Sequence, residues 1–237
     1  MGPSPALIEE IQRLGFEGWI DSQFALPATE LAQVPKADRV NDKLLMQEGF
    51  IRMTVTAKDQ LRVKTTWSLS QFLVVSAMRV SGTAALNWIN MLQREAFGNY
   101  RSILDAVTLH PTMGWYLDNA LNKAKSAQCP WCEANENYAR ELMELFSLGT
   151  NQLNPDGSWV RDSAGYKVST YSQRDVENLA RALTGWTMQP DELYGDEGGD
   201  WRKPMVATSD IEHDWGAKEV LGKTIPAGQT ARRDLDS

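Results

Sequence analysis

The chain has 237 residues, 42% hydrophobic and 23% charged, a globular balance with enough apolar side chains to bury the core of one large domain or two small ones. Its formal net charge of -7 argues against a general nucleic-acid binder, which needs a basic surface to displace phosphate counterions, and against a polybasic membrane-surface mode. No apolar run approaches the length of a membrane span, and the opening MGPSPALIEEIQRLG has no basic segment followed by an apolar one, so no signal peptide is visible.

Residues 5–25 read as one broken helix or two short ones. Ile8, Ile11 and Leu14 repeat at helical spacing, Gly15 interrupts, and Trp19, Ile20 and Phe24 continue the apolar face. A polar connector with Pro27 and Pro35 follows. Helical signals resume near Val40 and run with breaks to about Met78. Within them LRVKTTWSLSQFLVVSAMR suggests a buried helix, while its β-branched residues leave a strand open. Ser81-Gly82-Thr83 is a stop-and-cap signal before a helix from Ala84 to about Phe97, ended by Gly98. YRSILDAVTLH is a further short helix, and Pro111 begins another turn.

Residues 120–134 form a polar loop that holds the Cys129–Cys132 pair. From Asn135 to Gly149 the pattern is that of an amphipathic helix. Asn135 suits the N-cap, Glu136 the positive end of the dipole and Gly149 the C-terminal stop. Tyr138, Ala139, Leu142, Met143, Leu145 and Phe146 share one face, and Glu136, Arg140 and Glu144 share the other as an exposed ion-pair ladder. The period then changes. Pro155-Asp156-Gly157 and Ser163-Ala164-Gly165 are turn signals, so residues 151–171 read as a small β-hairpin inserted between helices, with no internal repeat visible. Ser172 with Asp175 three residues on is a capping-box signal for a helix that buries Val176, Leu179, Ala180 and Leu183. From Trp186 the chain is rich in Gly, Pro and Asp. KEVLGKTIPAG suggests a short strand pair, and RRDLDS reads as the start of a helix. The expected fold is mainly α: a multi-helix domain over 1–185 with the hairpin insertion, then a loop-rich extension over 186–237, truncated before further helices.

Several long segments carry a resemblance in order: LRVKTTWSLSQFLVVS, EAFGNYRSILDAVTLHP, LHPTMGWYLDN, NENYARELMELFSLG, QLNPDGSWVRDSAGYKVSTYSQRDV, TYSQRDVENLARALTGW and HDWGAKEVLG. Together they resemble the bacterial family catalogued as domain of unknown function 1800, over nearly the whole chain. The resemblance implies a mainly helical fold and longer members, of which this chain would be an N-terminal portion. It also implies export, to the periplasm or beyond, and a co-encoded partner similar to the alkaline phosphatase superfamily. The visible N-terminus alone leaves either a cytoplasmic location or a signal upstream of these residues. The resemblance supplies no reaction, and cofactor, metal content and oligomeric state stay open.

The chain has only two histidines, His110 and His213, so any imidazole chemistry must use one of them. His110, before Pro111, either fixes a turn by hydrogen bonding or acts as a ligand with Asp118 or Glu141, although no HExxH or ExxH spacing is present. Glu141, one turn after Asn137 at the edge of the apolar face, is either partnered by an arginine such as Arg181 or a backbone cap, or works as a general base or metal ligand. The adjacent His213-Asp214 suits catalysis or turn stabilisation. Cys129 and Cys132 have thioredoxin-like spacing, but a redox dithiol would normally open a helix after a strand, and zinc would need two more ligands; a structural disulfide is the favoured reading. Trp residues on helices are read as core. Trp131, Trp159, Trp201 and Trp215 fall in loops or the hairpin, where exposed rings could form a sugar-stacking platform. Two functions follow. One is a non-catalytic module of an exported assembly that binds a partner protein or a polymer. The other is a hydrolase-like enzyme, metal-dependent or not, with His110, Asp118, Glu141, His213 and Asp214 lining one cleft.

Overall fold

The computed structural model describes residues 4–34, 41–127, 129–191, 199–208 and 212–237; Pro35 and Val40 lie outside them. The fold is mainly α-helical, with two small antiparallel strand pairs. The chain forms two compact units, Met1–Ile103 and Leu104–Ser237. The step foreseen at 185/186 therefore lies inside the second unit.

In the first unit, α1 (Pro5–Ala25) starts at Ser4, whose side chain accepts the Leu7 N–H at 3.2 Å, and is broken at Gly15, which has φ 72°. Only glycine adopts that left-handed conformation without steric cost, so the interruption read in the sequence is a kink. Next come α2 (Asp42–Thr56), α3 (Gln60–Leu69) and α4 (Gly82–Glu95). The LRVKTTWSLSQFLVVS stretch is helical only to Leu69. Val63, Thr66 and Leu69 are buried on one face while Trp67 faces solvent. Ser81 caps α4 by accepting the Ala84 N–H at 3.1 Å. A Cβ on Gly82 would stand 2.2 Å from the Asp42 carbonyl carbon, so α2 and α4 meet here backbone to backbone. α4 is buried almost all round, amides included. Asn90 exchanges hydrogen bonds with Leu31 N–H (2.7 Å) and Leu31 C=O (2.9 Å), and Gln93 donates to the Thr29 carbonyl at 2.8 Å. These amides satisfy the backbone of an extended connector that has no secondary structure of its own.

The second unit takes in the end of α5 (Tyr100–Leu109), then α6 (Pro111–Tyr116), α7 (Asn137–Glu144) and α8 (Gln173–Ala182). β1 (Trp186–Thr187) pairs with β2 (Val206–Ala207), β3 (Lys218–Val220) with β4 (Lys223–Ile225), and α9 (Ala231–Asp236) follows. The strand pair and the terminal helix expected from KEVLGKTIPAG and RRDLDS are both present. Val107, Met113, Tyr138, Phe146, Val176, Ala180 and Leu183 are buried, and Leu109, Trp186, Met205 and Ala231 form an apolar cluster. α8 opens with the foreseen capping box, in which Ser172 and Asp175 satisfy each other's backbone N–H.

α7 is shorter than its pattern. Its N-cap is Glu136, not Asn135, and makes no side-chain cap; Asn135 Oδ1 instead accepts the Asn137 N–H at 2.8 Å from just outside the helix. After Glu144 the helix loosens: the Leu145 and Phe146 N–H groups both reach the Glu141 carbonyl, and those of Leu148 and Gly149 both reach Met143. This unwinding turns Leu145 out to solvent, against its expected burial, while Tyr138, Ala139, Met143 and Phe146 stay buried.

Residues 150–170 form more than one hairpin. Two turns, closed by Gly157 N–H to Asn154 C=O and Gly165 N–H to Asp162 C=O, fold three segments against one another. Gln152 donates to Val168, Val168 to Val160 and Val160 to Gln152, at 2.9, 3.0 and 2.9 Å. The result is a closed triangle of backbone hydrogen bonds among three residues spaced eight apart along the chain. It contains a repeat that the sequence did not reveal. Thr170 returns the chain to Thr150 and Gly149, just beyond the loosened turns that follow α7.

Candidate functional site

A dense cluster of charged groups lies where RALTGW at the end of α8 meets HDWGAK. Arg181 grips Asp214 through two nitrogens, at 2.8 and 2.9 Å. Asp214 also accepts the Gly216 N–H at 2.8 Å, and its own N–H reaches Thr184 Oγ1 at 2.9 Å. Burial pushes the Asp214 carboxyl up, but the Arg181 hydrogen bonds, the Gly216 N–H and the nearby Lys218 outweigh it and hold it below the ordinary carboxylate range. A Cβ at Gly216 would stand 2.6 Å from an Arg181 guanidinium nitrogen and 3.1 Å from Asp214 Oδ1, so a larger residue here would have to displace the ion pair.

Beneath this pair Lys218 is wholly enclosed. Its ammonium donates to the carbonyls of Asp214 and Gly216 and lies 2.7 Å from Asp234 of α9. The side chains of Lys218 and Asp234 are 1% and 0% exposed. His213 completes the set. Its Nδ1 is 2.9 Å from the Thr184 carbonyl and its Nε2 is 3.2 Å from Asp234. The Thr184 hydroxyl donates to the Arg181 carbonyl at 2.7 Å and lies 3.2 Å from the same Nδ1. Gly185, at φ +89°, lets the chain pass His213; a Cβ there would stand 3.0 Å from that of His213. The cluster thus ties α8, β3 and α9 together through charges matched among themselves. One carboxylate oxygen, Asp234 Oδ1, is buried without a hydrogen-bond partner.

The other candidates are dispersed. His110 is buried at the start of α6, where Nδ1 accepts the Thr112 N–H at 3.1 Å, which is the turn-fixing role. Asp118, with φ 58°, accepts from Asn137 Nδ2 at 3.1 Å, so those two meet at the exposed start of α7. Glu141 is half-buried. Burial and then the neighbouring Glu144 raise its carboxyl above the usual range, with Arg140 opposing. Arg181, named as its partner, is committed to Asp214 instead. Arg140 pairs with Glu136 at 2.8 Å, and Glu144 accepts from the Tyr171 hydroxyl at 3.3 Å. Among the described residues no group of three or more His, Cys, Asp or Glu side chains could hold a metal ion.

Cys129 and Cys132 are joined by a disulfide. Of the loop tryptophans, Trp131 is 79% exposed and Trp159 48%, Trp215 is at the edge of exposure and Trp201 is half-buried. Trp67 and Trp115, on helices, are also exposed, because each lies on the outer face of its helix; Trp88 and Trp186 are core. Leu153 and Trp159 are bridge partners, so their side chains share a face of the 150–170 segment, and Lys167 Nζ sits 3.2 Å from the centre of the Trp159 ring. Tyr166, on the same segment, is 73% exposed.

Sequence reasoning found His213 and Asp214 but missed Lys218 and Asp234. Lys218 follows Asp214 by four residues in an otherwise ordinary strand, and Asp234 lies in a helix that reads as solvated.

Neither the comparison with curated proteins nor that with solved structures gave a match. The family model described as Protein of unknown function (DUF1800) matches residues 1–237. The chain belongs to the DUF1800 family.

Proposed function

We propose that this chain is a non-catalytic helical module of an exported assembly that binds a partner protein or a polymer. The carrying observation is the 150–170 segment, whose backbone triangle satisfies itself while Leu153, Trp159 and Tyr166 stay in water. A turn-rich segment that spends its polar backbone internally and leaves aromatics outside suits recognition by ring contact. The cluster around Lys218 supports the same reading, because His213 is enclosed and already bonded at both ring nitrogens. The competing reading, a hydrolase-like enzyme, rests on the raised carboxyl of Glu141.

The test is direct binding of the purified chain to a panel of soluble polysaccharides and to the co-encoded protein similar to the alkaline phosphatase superfamily. Saturable binding that falls at least about tenfold, or ~1.4 kcal/mol, in a Trp159→Ala/Tyr166→Ala variant supports the proposal. Binding unchanged in that variant, or absent throughout the panel, overturns it. Stoichiometric metal that is lost in Glu141→Gln would favour the enzyme instead.

A further inference from the structure

The ends of the loop that carries the Cys129–Cys132 bridge are held by hydrogen bonds. The loop that carries it is pinned at its start without sulfur. Leu121 N–H reaches the Trp186 carbonyl at 2.8 Å, Gly185 N–H reaches Asn122 at 2.9 Å and Ala124 N–H reaches Glu212 at 2.9 Å. Its far end is held as well, because Asn122 Oδ1 accepts the Asn135 N–H at 2.7 Å and its Nδ2 donates to the Asn135 carbonyl at 3.3 Å. Within the loop, Ser126 and Cys129 exchange hydrogen bonds and the Cys132 N–H reaches the Cys129 carbonyl at 3.2 Å, so the turn is shaped by its backbone. The bridge has a sequence separation of three, and the loop-closure entropy that a cross-link removes shrinks with the ring it closes. Both cysteines are half-buried rather than enclosed, and the two residues between them, Pro130 and Trp131, stand in solvent.

A small ring in an accessible loop that is pinned independently suits exchange better than stapling. We propose that Cys129–Cys132 is a thiol–disulfide exchange site, opened and closed by an external thiol. A thiolate attacks one sulfur of the bridge, a new sulfur–sulfur bond forms, and the other cysteine leaves as a thiolate that takes a proton from water. A second thiol, deprotonated, attacks the external sulfur of the mixed disulfide and releases the first cysteine. Two external thiols are thereby oxidised to one disulfide while the bridge takes up two electrons and two protons. Exposed Pro130 and Trp131 offer an apolar contact beside the sulfurs for a protein thiol; a small thiol needs none.

The oxidised full chain is incubated without denaturant in one of two reductants, reduced glutathione or a CxxC dithiol protein kept reduced by its reductase. It is then alkylated and weighed. Two alkylated thiols per chain in either arm support the proposal, and the arm that works identifies the source. The thermal midpoints of the reduced chain and of Cys129→Ser/Cys132→Ser stay within ~2 °C of the oxidised chain. Thiols that appear only in denaturant overturn the proposal. So does a fall of more than ~5 °C in the reduced chain and in the double serine variant alike, which would make the bridge a staple.

Discussion

Within the second unit, the cluster of 181–186, 213–218 and 231–236 and the segment 150–170 use polar groups in opposite ways. The cluster encloses Lys218, His213 and Asp234 and half-buries Arg181 and Asp214, and their hydrogen bonds go to one another and to neighbouring backbone. The 150–170 segment buries almost nothing, holds itself by backbone bonds and leaves its aromatic rings in water. On the proposed function, the side chains with the most chemistry are structural, while a segment of turns and bridges presents the surface for recognition. If this contrast is right, damage to the cluster costs stability, and damage to the segment costs binding.

The largest effect falls on Asp234→Ala. It leaves Lys218 enclosed without its carboxylate, and removing one partner of a buried ion pair costs about 3–5 kcal/mol. Urea unfolding followed by circular dichroism measures it. Gly185→Ala comes next. It combines a left-handed backbone with a methyl group 3.0 Å from the His213 Cβ, and about 2–3 kcal/mol should be lost in the same assay.

The pH dependence separates two carboxyls by sign. Asp214 is depressed in the folded state, so its stabilisation is present above the ordinary carboxylate range and is lost as pH falls through its folded value. Glu141 is raised, so its contribution is present below the ordinary range and is lost as pH rises through its folded value. In thermal melts across the acid range, Asp214→Asn should flatten the decline on the acid side. Glu141→Gln should flatten the loss on the rising side, with a change at neutral pH no larger than the ~0.5 kcal/mol of surface substitutions. The same slope in both variants would remove the distinction. The smallest stability effect belongs to Trp159→Ala/Tyr166→Ala, again within ~0.5 kcal/mol, and equal damage there and at Asp234 would erase the contrast between the regions.

Much of the helical framework was legible because caps and breaks act locally. The Gly15 kink, the Ser81 cap, the Ser172–Asp175 box and the KEVLGKTIPAG strand pair each depend on a few neighbouring residues. The unwinding after Glu144 was not legible, because the helical period continues through Leu145 although the hydrogen bonds do not. Nor was the triangle of Gln152, Val160 and Val168, because its repeat resides in backbone geometry and its side chains differ. The cluster was half legible. His213-Asp214 stood out as a pair, but Lys218 and Asp234 are joined across sixteen residues by burial alone, which a local pattern does not encode. Likewise Arg181 fits Glu141 as an arginine on a nearby helix, yet its chain position points it at Asp214.

The claim that the charged cluster is a structural tie is tested most directly by a double-mutant cycle on its enclosed pair. Lys218→Met, Asp234→Leu and the combination are unfolded in urea alongside the parent chain. A structural tie predicts that each single change costs about 3–5 kcal/mol and that the combined change recovers most of the loss, because an apolar pair of similar volume replaces a buried ion pair. Single variants as stable as the parent, or a double variant that loses the sum of both, would contradict it.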